Sequence, residues 1–218
     1  GALWFKTTDL GLDKDEVLLR ANGFPTYFAV DIAYHRNKFI VRGFDKCIDV
    51  WGADHHGHVA RMKSSMSALG VDPSKLDVVL MQLVKLVRNG EIVKMSKRTG
   101  KAIQLADLLD EVPVNAARFY FNLRESNSQM DFDLDLAVKE DSQNPVYYVQ
   151  YAHARICSIV KNLAAMGVKI KNCSVEDLMI LQSPEELDII RQLAKLTEEI
   201  QIAAKTYNPS RITRYVID

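Results

Sequence analysis

The sequence predicts two architectures in succession, α/β to about residue 112 and all-α beyond it, on three observations. Short apolar runs that end at glycine alternate with helically spaced stretches in the first part. Asn89-Gly90 stands between two Val- and Leu-rich arms, the strongest short hairpin signal. From about residue 113 onward, apolar residues recur at three- and four-residue intervals, and no strand is read.

Each element follows from local chemistry. In "KCIDVWGAD" the run 47–51 ends at a glycine, which suits a buried strand presenting 52–54 at its carboxyl end. "HHGHVARMKSSMSALG" puts Val59, Met62, Met66 and Leu69 at helical spacing, with Gly70 as C-cap. "LDVVLMQLVKLVRNGEIVKMS" reads as strand, Asn-Gly turn, strand, so the chain after residue 93 leaves the second arm of a hairpin. Helical spacing resumes through Leu105, Leu108, Leu109 and Val112. Pro113 and Pro145 each stand where a first helical residue belongs, and Asn144 suits the cap of the second. Val149, Ile156, Ile159 and Leu163 share a helix face that stops at Gly167, and Ser183 with Glu186 makes a capping box. A last helix begins near Asn208-Pro209 and is still amphipathic at Asp218. The polar, acidic stretch 126–143 is the expected junction between 1–125 and 144–218.

Composition narrows the partners. With 28 Lys plus Arg against 28 Asp plus Glu, no bulk cationic field demands nucleic acid, so any anion site is local. Cys47, Cys157 and Cys173 form no C-x-x-C pair, which fits a reducing compartment and argues against disulfides or structural zinc. No apolar run approaches the roughly 20 residues of a membrane span, and "GALWFKTTDLG" lacks a signal-peptide pattern. The expectation is a cytoplasmic protein without a membrane partner.

Three constellations could carry chemistry. "EIVKMSKRTGKAI" packs Lys94, Lys97, Arg98 and Lys101 into eight positions, with Ser96, Thr99 and Gly100 between them. Lysines on a flexible turn can follow a phosphoryl group in flight, and Ser96 and nearby backbone N–H groups can add donors. A solvated hairpin loop is the other reading. The phosphate-loop pattern G-x-x-x-x-G-K-[ST] is not matched, because Lys101 is followed by Ala102. "WGADHHGH" clusters Asp54, His55, His56 and His58 at a strand end, where open α/β sheets place ligands. It reads as a metal site, as a ribose site with Gly52 allowing close approach to Asp54, or as a helix start capped by Asp54. In "PTYFAVDIAYH", Tyr27 and Asp31 are four apart and share a face if helical. A carboxylate beside a phenol can receive a guanidinium, while a core Tyr beside a surface Asp is the plainer alternative. His35 and His153 read as packing or surface residues.

Together these stretches resemble the arginyl-tRNA synthetases. "VKMSKRTGK" contains K-M-S-K, a fingerprint of class I aminoacyl-tRNA synthetases, with an R-T-G-K continuation similar to the arginine enzymes. "TYFAVDIAYH" resembles their arginine-site helix, "WGADHHGH" their ribose-side strand end, and "NPVYYVQYAHARICSI" the opening of their helical anticodon-binding domain.

The resemblance implies the second half of a class I Rossmann-type nucleotide-binding domain, with the K-M-S-K loop, over 1–125. A connecting region comes next over 126–143, and a truncated helical anticodon-binding bundle over 144–218. It implies arginine, ATP and tRNA(Arg) as partners, magnesium accompanying ATP, no protein-bound metal, and a monomeric full-length enzyme. Lys94 and Lys97 would stabilise charge on the leaving pyrophosphate; Met95 and Ser96 would position ATP; Gly52 and Asp54 would receive the ribose. Tyr27 and Asp31 would take the guanidinium. His55 stands where some family members place a glutamine near the substrate. The class I H-I-G-H fingerprint is missing, so the chain is expected to be a fragment that is inactive alone. A class I synthetase for another amino acid, a histidine-rich metal phosphoesterase and a non-catalytic RNA-binding module are the competing readings.

Overall fold

The computed structural model describes residues 1–94, 103–169 and 172–218, and the chain divides into two units, Gly1–Leu83 and Val84–Asp218. In the first, β1 (Leu3–Phe5) and β2 (Glu16–Leu19) form an antiparallel ribbon. Helix α1 (Tyr27–Arg36) starts at Thr26, whose Oγ1 accepts from the Ala29 N–H at 3.3 Å and donates to the Val17 carbonyl at 2.8 Å. One hydroxyl therefore caps the helix and ties its start to β2. The helix continues into a turn of π-helix, Asn37–Val41.

β3 (Cys47–Gly52) pairs in parallel with β4 (Leu76–Met81), and α2 (His56–Ala68) lies between them in sequence. Met62 and Met66, one helical turn apart, are fully buried with Leu76 against Phe28, Phe39 and Cys47. The opposite face of β3 leaves Ile48 and Val50 exposed.

In the second unit β5 (Val84–Arg88) is the central strand, antiparallel to β6 (Glu91–Ile92) and parallel to β7 (Met130–Asp133). Asn89 and Gly90 both have positive φ, 52° and 77°, as a two-residue type I′ hairpin turn requires. Two expectations are corrected. The run 76–88 is two strands in two sheets rather than one hairpin arm, because extended pairing is interrupted at 82–83. A strand, β7, also exists beyond residue 113, inside the acidic stretch. Its aspartates have structural tasks: Asp133 Oδ1 caps α5 (Leu134–Ala137), accepting from the N–H groups of Asp135 and Leu136. Asp135 Oδ2 accepts from the Asn89 N–H at 2.6 Å and so anchors the hairpin turn.

Helices α3 (Leu105–Glu111) and α4 (Val114–Phe121) close this core. Pro113 stands one position before the first helical residue, at the cap. Phe132 is completely buried among Leu108, Val112, Ala116, Tyr120 and Val146.

The helical remainder comprises α6 (Pro145–Ala165), α7 (Val175–Leu178), α8 (Pro184–Ala194), α9 (Leu196–Thr206) and α10 (Ser210–Ile217). The box of Ser183 and Glu186 forms at the start of α8. Helix α10 is pinned to the end of α4 by Thr213 Oγ1, which donates to the Asn122 carbonyl at 2.7 Å. On α6, Ile156 and Ile159 remain exposed. No helix among the described residues is long and apolar enough to cross a membrane.

Asn144 caps α6 and also joins it to the core. Its Oδ1 accepts from the Val146 N–H at 3.0 Å and the Tyr120 hydroxyl at 3.3 Å, while Nδ2 donates to the carbonyls of Ala137 and Lys139. Burial, with the nearby Asp133 charge, pushes the Tyr120 phenol up to about 12. Asn144→Ala removes a cap and leaves buried polar groups unpaired, so a loss of about 3 kcal/mol is expected in urea unfolding. Asn144→Asp, which keeps the cap but turns a carboxylate oxygen toward the Ala137 and Lys139 carbonyls, should lose at least as much.

Candidate functional site

The Tyr27 and Asp31 side chains come from consecutive turns of α1, and His55 comes from the short 3-10 turn Ala53–His55 that joins β3 to α2. All three line one groove of about 690 Å³, together with Glu16, His58 and Arg61. Asp54 and His55 line a neighbouring groove of about 520 Å³ that shares Glu16, His58 and Arg61. Tyr27 is 87% exposed, so it belongs to the groove wall and not to the core.

Asp31 is held from α2: His58 Nε2 stands 3.1 Å from Asp31 Oδ2. The His58 ring lies between Phe28, edge-on at 5.5 Å, and Trp51 at 5.2 Å. Its Nδ1 is buried and has no hydrogen-bond partner among the described residues. Burial pushes the imidazole below its ordinary range, outweighing the Asp31 hydrogen bond that favours the charged form. The folded chain thus holds this ring neutral where the unfolded chain would protonate it. That contribution to stability is complete above about pH 6.5 and declines as pH falls below it. The urea midpoint should therefore drop as pH falls below about 6.5, and more steeply in the parent chain than in His58→Gln.

His35 is buried behind the groove. Nδ1 faces the Asp31 carbonyl at 2.8 Å and Nε2 faces the Asp49 carboxylate at 2.6 Å. Both partners are acceptors, so satisfying both takes a hydrogen on each ring nitrogen. Lys38 Nζ donates to the other Asp49 oxygen at 2.7 Å. Burial works to raise the Asp49 carboxyl, but the His35 and Lys38 hydrogen bonds prevail and hold it below the usual range. This network docks α1 on β3 and fixes the Asp31 backbone.

Gly52 has ordinary extended dihedrals, φ −63° and ψ 147°, so conformation does not demand glycine there. A Cβ would instead run into Asp54 Oδ1. The glycine leaves room for that carboxylate. Asp54 makes no side-chain cap for α2. The imidazoles diverge, His55 toward Asp54 at 3.6 Å and His58 toward Asp31. Among the described residues no three His, Cys, Asp or Glu side chains gather to hold a metal.

Of the cationic stretch, Lys94 follows β6 and is exposed; Met95, Ser96 and Lys97 lie outside the described residues. The pair that sequence reading did not find is Glu16 and Arg61, joined at 3.1 Å across 45 residues, with the Arg61 guanidinium 5.8 Å from the Phe28 ring centroid. Nothing local in sequence signals such a pair.

Comparison with known proteins agrees over the whole chain. Residues 149–218 match the DALR anticodon binding domain. The chain is 64% identical over 218 residues to an arginine-tRNA ligase of Caldanaerobacter subterraneus and 60% identical to that of Ruminiclostridium cellulolyticum, covering all of this chain and 39% of each relative. A Campylobacter jejuni structure assigned as an arginyl-tRNA synthetase superposes with a TM-score of 0.82 at 36% identity, over 99% of this chain and 46% of that one. The Thermus thermophilus arginyl-tRNA synthetase shares the fold, with a TM-score of 0.81 at 21% identity over 100% of this chain and 44% of its own. The chain thus spans about two fifths of the length of its curated relatives, and over that span it is similar throughout to arginyl-tRNA synthetases.

Proposed function

We propose that this chain contributes the amino-acid and ribose sides of an arginine-activating site. Arginine and ATP give arginyl-adenylate and pyrophosphate, and the arginyl group then passes to the terminal ribose of tRNA(Arg). One observation carries this reading: Tyr27, Asp31 and His55, from two separate elements, line a single groove, with the Asp31 carboxylate at its wall. A carboxylate offers two oxygens to a guanidinium fork, and the His58 bond engages only one lone pair.

The parallel β3–β4 pair with α2 between its strands supports half of a Rossmann-type nucleotide-binding domain. Gly52 and Asp54 stand at the carboxyl end of β3, where such sheets bind ligands, and are assigned the ribose. Lys94 and Lys97 are assigned the pyrophosphate charge, Met95 and Ser96 the positioning of ATP, with magnesium entering on the nucleotide and no resident metal. The match over 149–218 supports an anticodon-binding role for the helical segment. The same assignment divides the chain into 1–125, the connector 126–143 and the bundle 144–218, within a cytoplasmic, monomeric enzyme.

The test is Lys97→Ala in the full-length protein. Loss of a donor that stabilises transition-state charge should lower kcat for arginine-dependent pyrophosphate exchange by about 100-fold, with the KM for arginine nearly unchanged. An unaltered kcat would remove the pyrophosphate assignment.

A further inference from the structure

We infer that His58 is a positioning residue for arginine: a neutral imidazole that aims the Asp31 carboxylate at the guanidinium without cancelling its charge. This rests on the assignment of Asp31 as the guanidinium receptor. A carboxylate oxygen only accepts, so at 3.1 Å from Asp31 Oδ2 the His58 Nε2 carries the hydrogen. A second proton, on Nδ1, would be buried without an acceptor among the described residues, which is unfavourable. The ring has little freedom to turn away, because Phe28 and Trp51 flank it.

The chemistry of the donor matters because the ligand is a cation. A lysine or arginine at this place would hold the carboxylate equally well and would neutralise it, leaving the guanidinium to displace an internal partner. Both arrangements occur nearby. Glu16 is matched by Arg61, and Asp49 by Lys38. Asp31 pairs with no lysine or arginine among the described residues. Its orientation is fixed and its negative charge is retained. Such a site discriminates arginine from citrulline, the neutral isostere in which a urea oxygen replaces one guanidinium nitrogen.

The experiment uses the full-length protein and arginine-dependent pyrophosphate exchange. His58→Phe keeps an aromatic ring between Phe28 and Trp51 but has no donor; it should raise the KM for arginine about tenfold and leave the KM for ATP within about twofold. The preference for arginine over citrulline, read as the ratio of the citrulline Ki to the arginine KM, should fall about tenfold with it. His58→Gln, which restores a neutral N–H donor, should return the KM for arginine to within about threefold of the parent. An unchanged arginine KM in His58→Phe, an equal rise for ATP, or failure of Gln to rescue would each overturn the role of His58. If His58→Phe does not fold, as read from its melting temperature, His58→Leu takes its place under the same criteria. Asp31→Asn separates the two claims. If it too leaves arginine KM unchanged, the receptor assignment itself falls; if it alone raises KM, only the role of His58 falls.

Discussion

Replacing Asp31 by asparagine in the full-length protein is expected to raise the KM for arginine about 100-fold, with the KM for ATP changed less than about threefold. Asparagine preserves the side-chain shape, so the loss reads charge rather than packing. A hydrogen bond between charged groups contributes roughly 1.5–3 kcal/mol, and a two-pronged carboxylate–guanidinium pair stands at the upper end. At about 1.4 kcal/mol per decade, that upper figure corresponds to about two orders of magnitude. Asp31 is half-exposed, at 47% of its side chain, which keeps the effect from being larger. Steady-state exchange kinetics across arginine concentration measures it directly. An arginine KM within about threefold of the parent would leave the groove without its receptor and move the guanidinium elsewhere.

The parts of this site that were legible in sequence are those that a single element creates. Tyr27 and Asp31 are one helical turn apart, and α1 does place both on the groove. His55 was legible because it follows a strand end, and strand ends in parallel sheets are where loops become ligand walls. The Glu16 and Arg61 part of the groove was not legible. Glu16 belongs to a short ribbon strand and Arg61 to α2, and their pairing exists only once those two elements come together in the fold. Gly52 was legible as a residue needing space, and in the fold the atom nearest that space is the Asp54 Oδ1.

The fold divides in the same way. Helices with caps and one apolar stripe were read correctly in place, as at Asn144-Pro145 and at Ser183 with Glu186. Strand β7 was missed because its solvent-side residues are aspartates, which are depleted in strands and read as a linker. The period-two signal was nevertheless present. Met130, Phe132 and Leu134 alternate with Asp131, Asp133 and Asp135, and the apolar set is the buried one. Composition outweighed pattern in that reading.

That alternation makes Phe132 the residue whose truncation should hurt the second unit most. Phe132 is 0% exposed, on a strand that pairs with β5, and its ring lies 5.3 Å from Tyr120 and 5.1 Å from Phe121. Phe132→Ala removes a large ring from a site walled by α3, α4 and α6 and by β5, where collapse cannot fill the gap. The expected loss is about 3–5 kcal/mol, the range for buried Phe truncations, which is a large fraction of the stability of an ordinary domain. The neighbouring Asp131, exposed on the other face of the same strand, provides the control. Asp131→Ala should change stability by less than about 0.5 kcal/mol. Urea unfolding of both variants decides between a core strand and a connector, because a connector would make the two substitutions equally mild. The same experiment reaches the hairpin: Asp135 follows β7 and holds the Asn89 N–H, so a loosened β7 releases the turn that joins β5 to β6. Arginine-dependent exchange by full-length Phe132→Ala should therefore fall at temperatures where the protein is still mostly folded, with the loss in kcat and not in the KM for arginine.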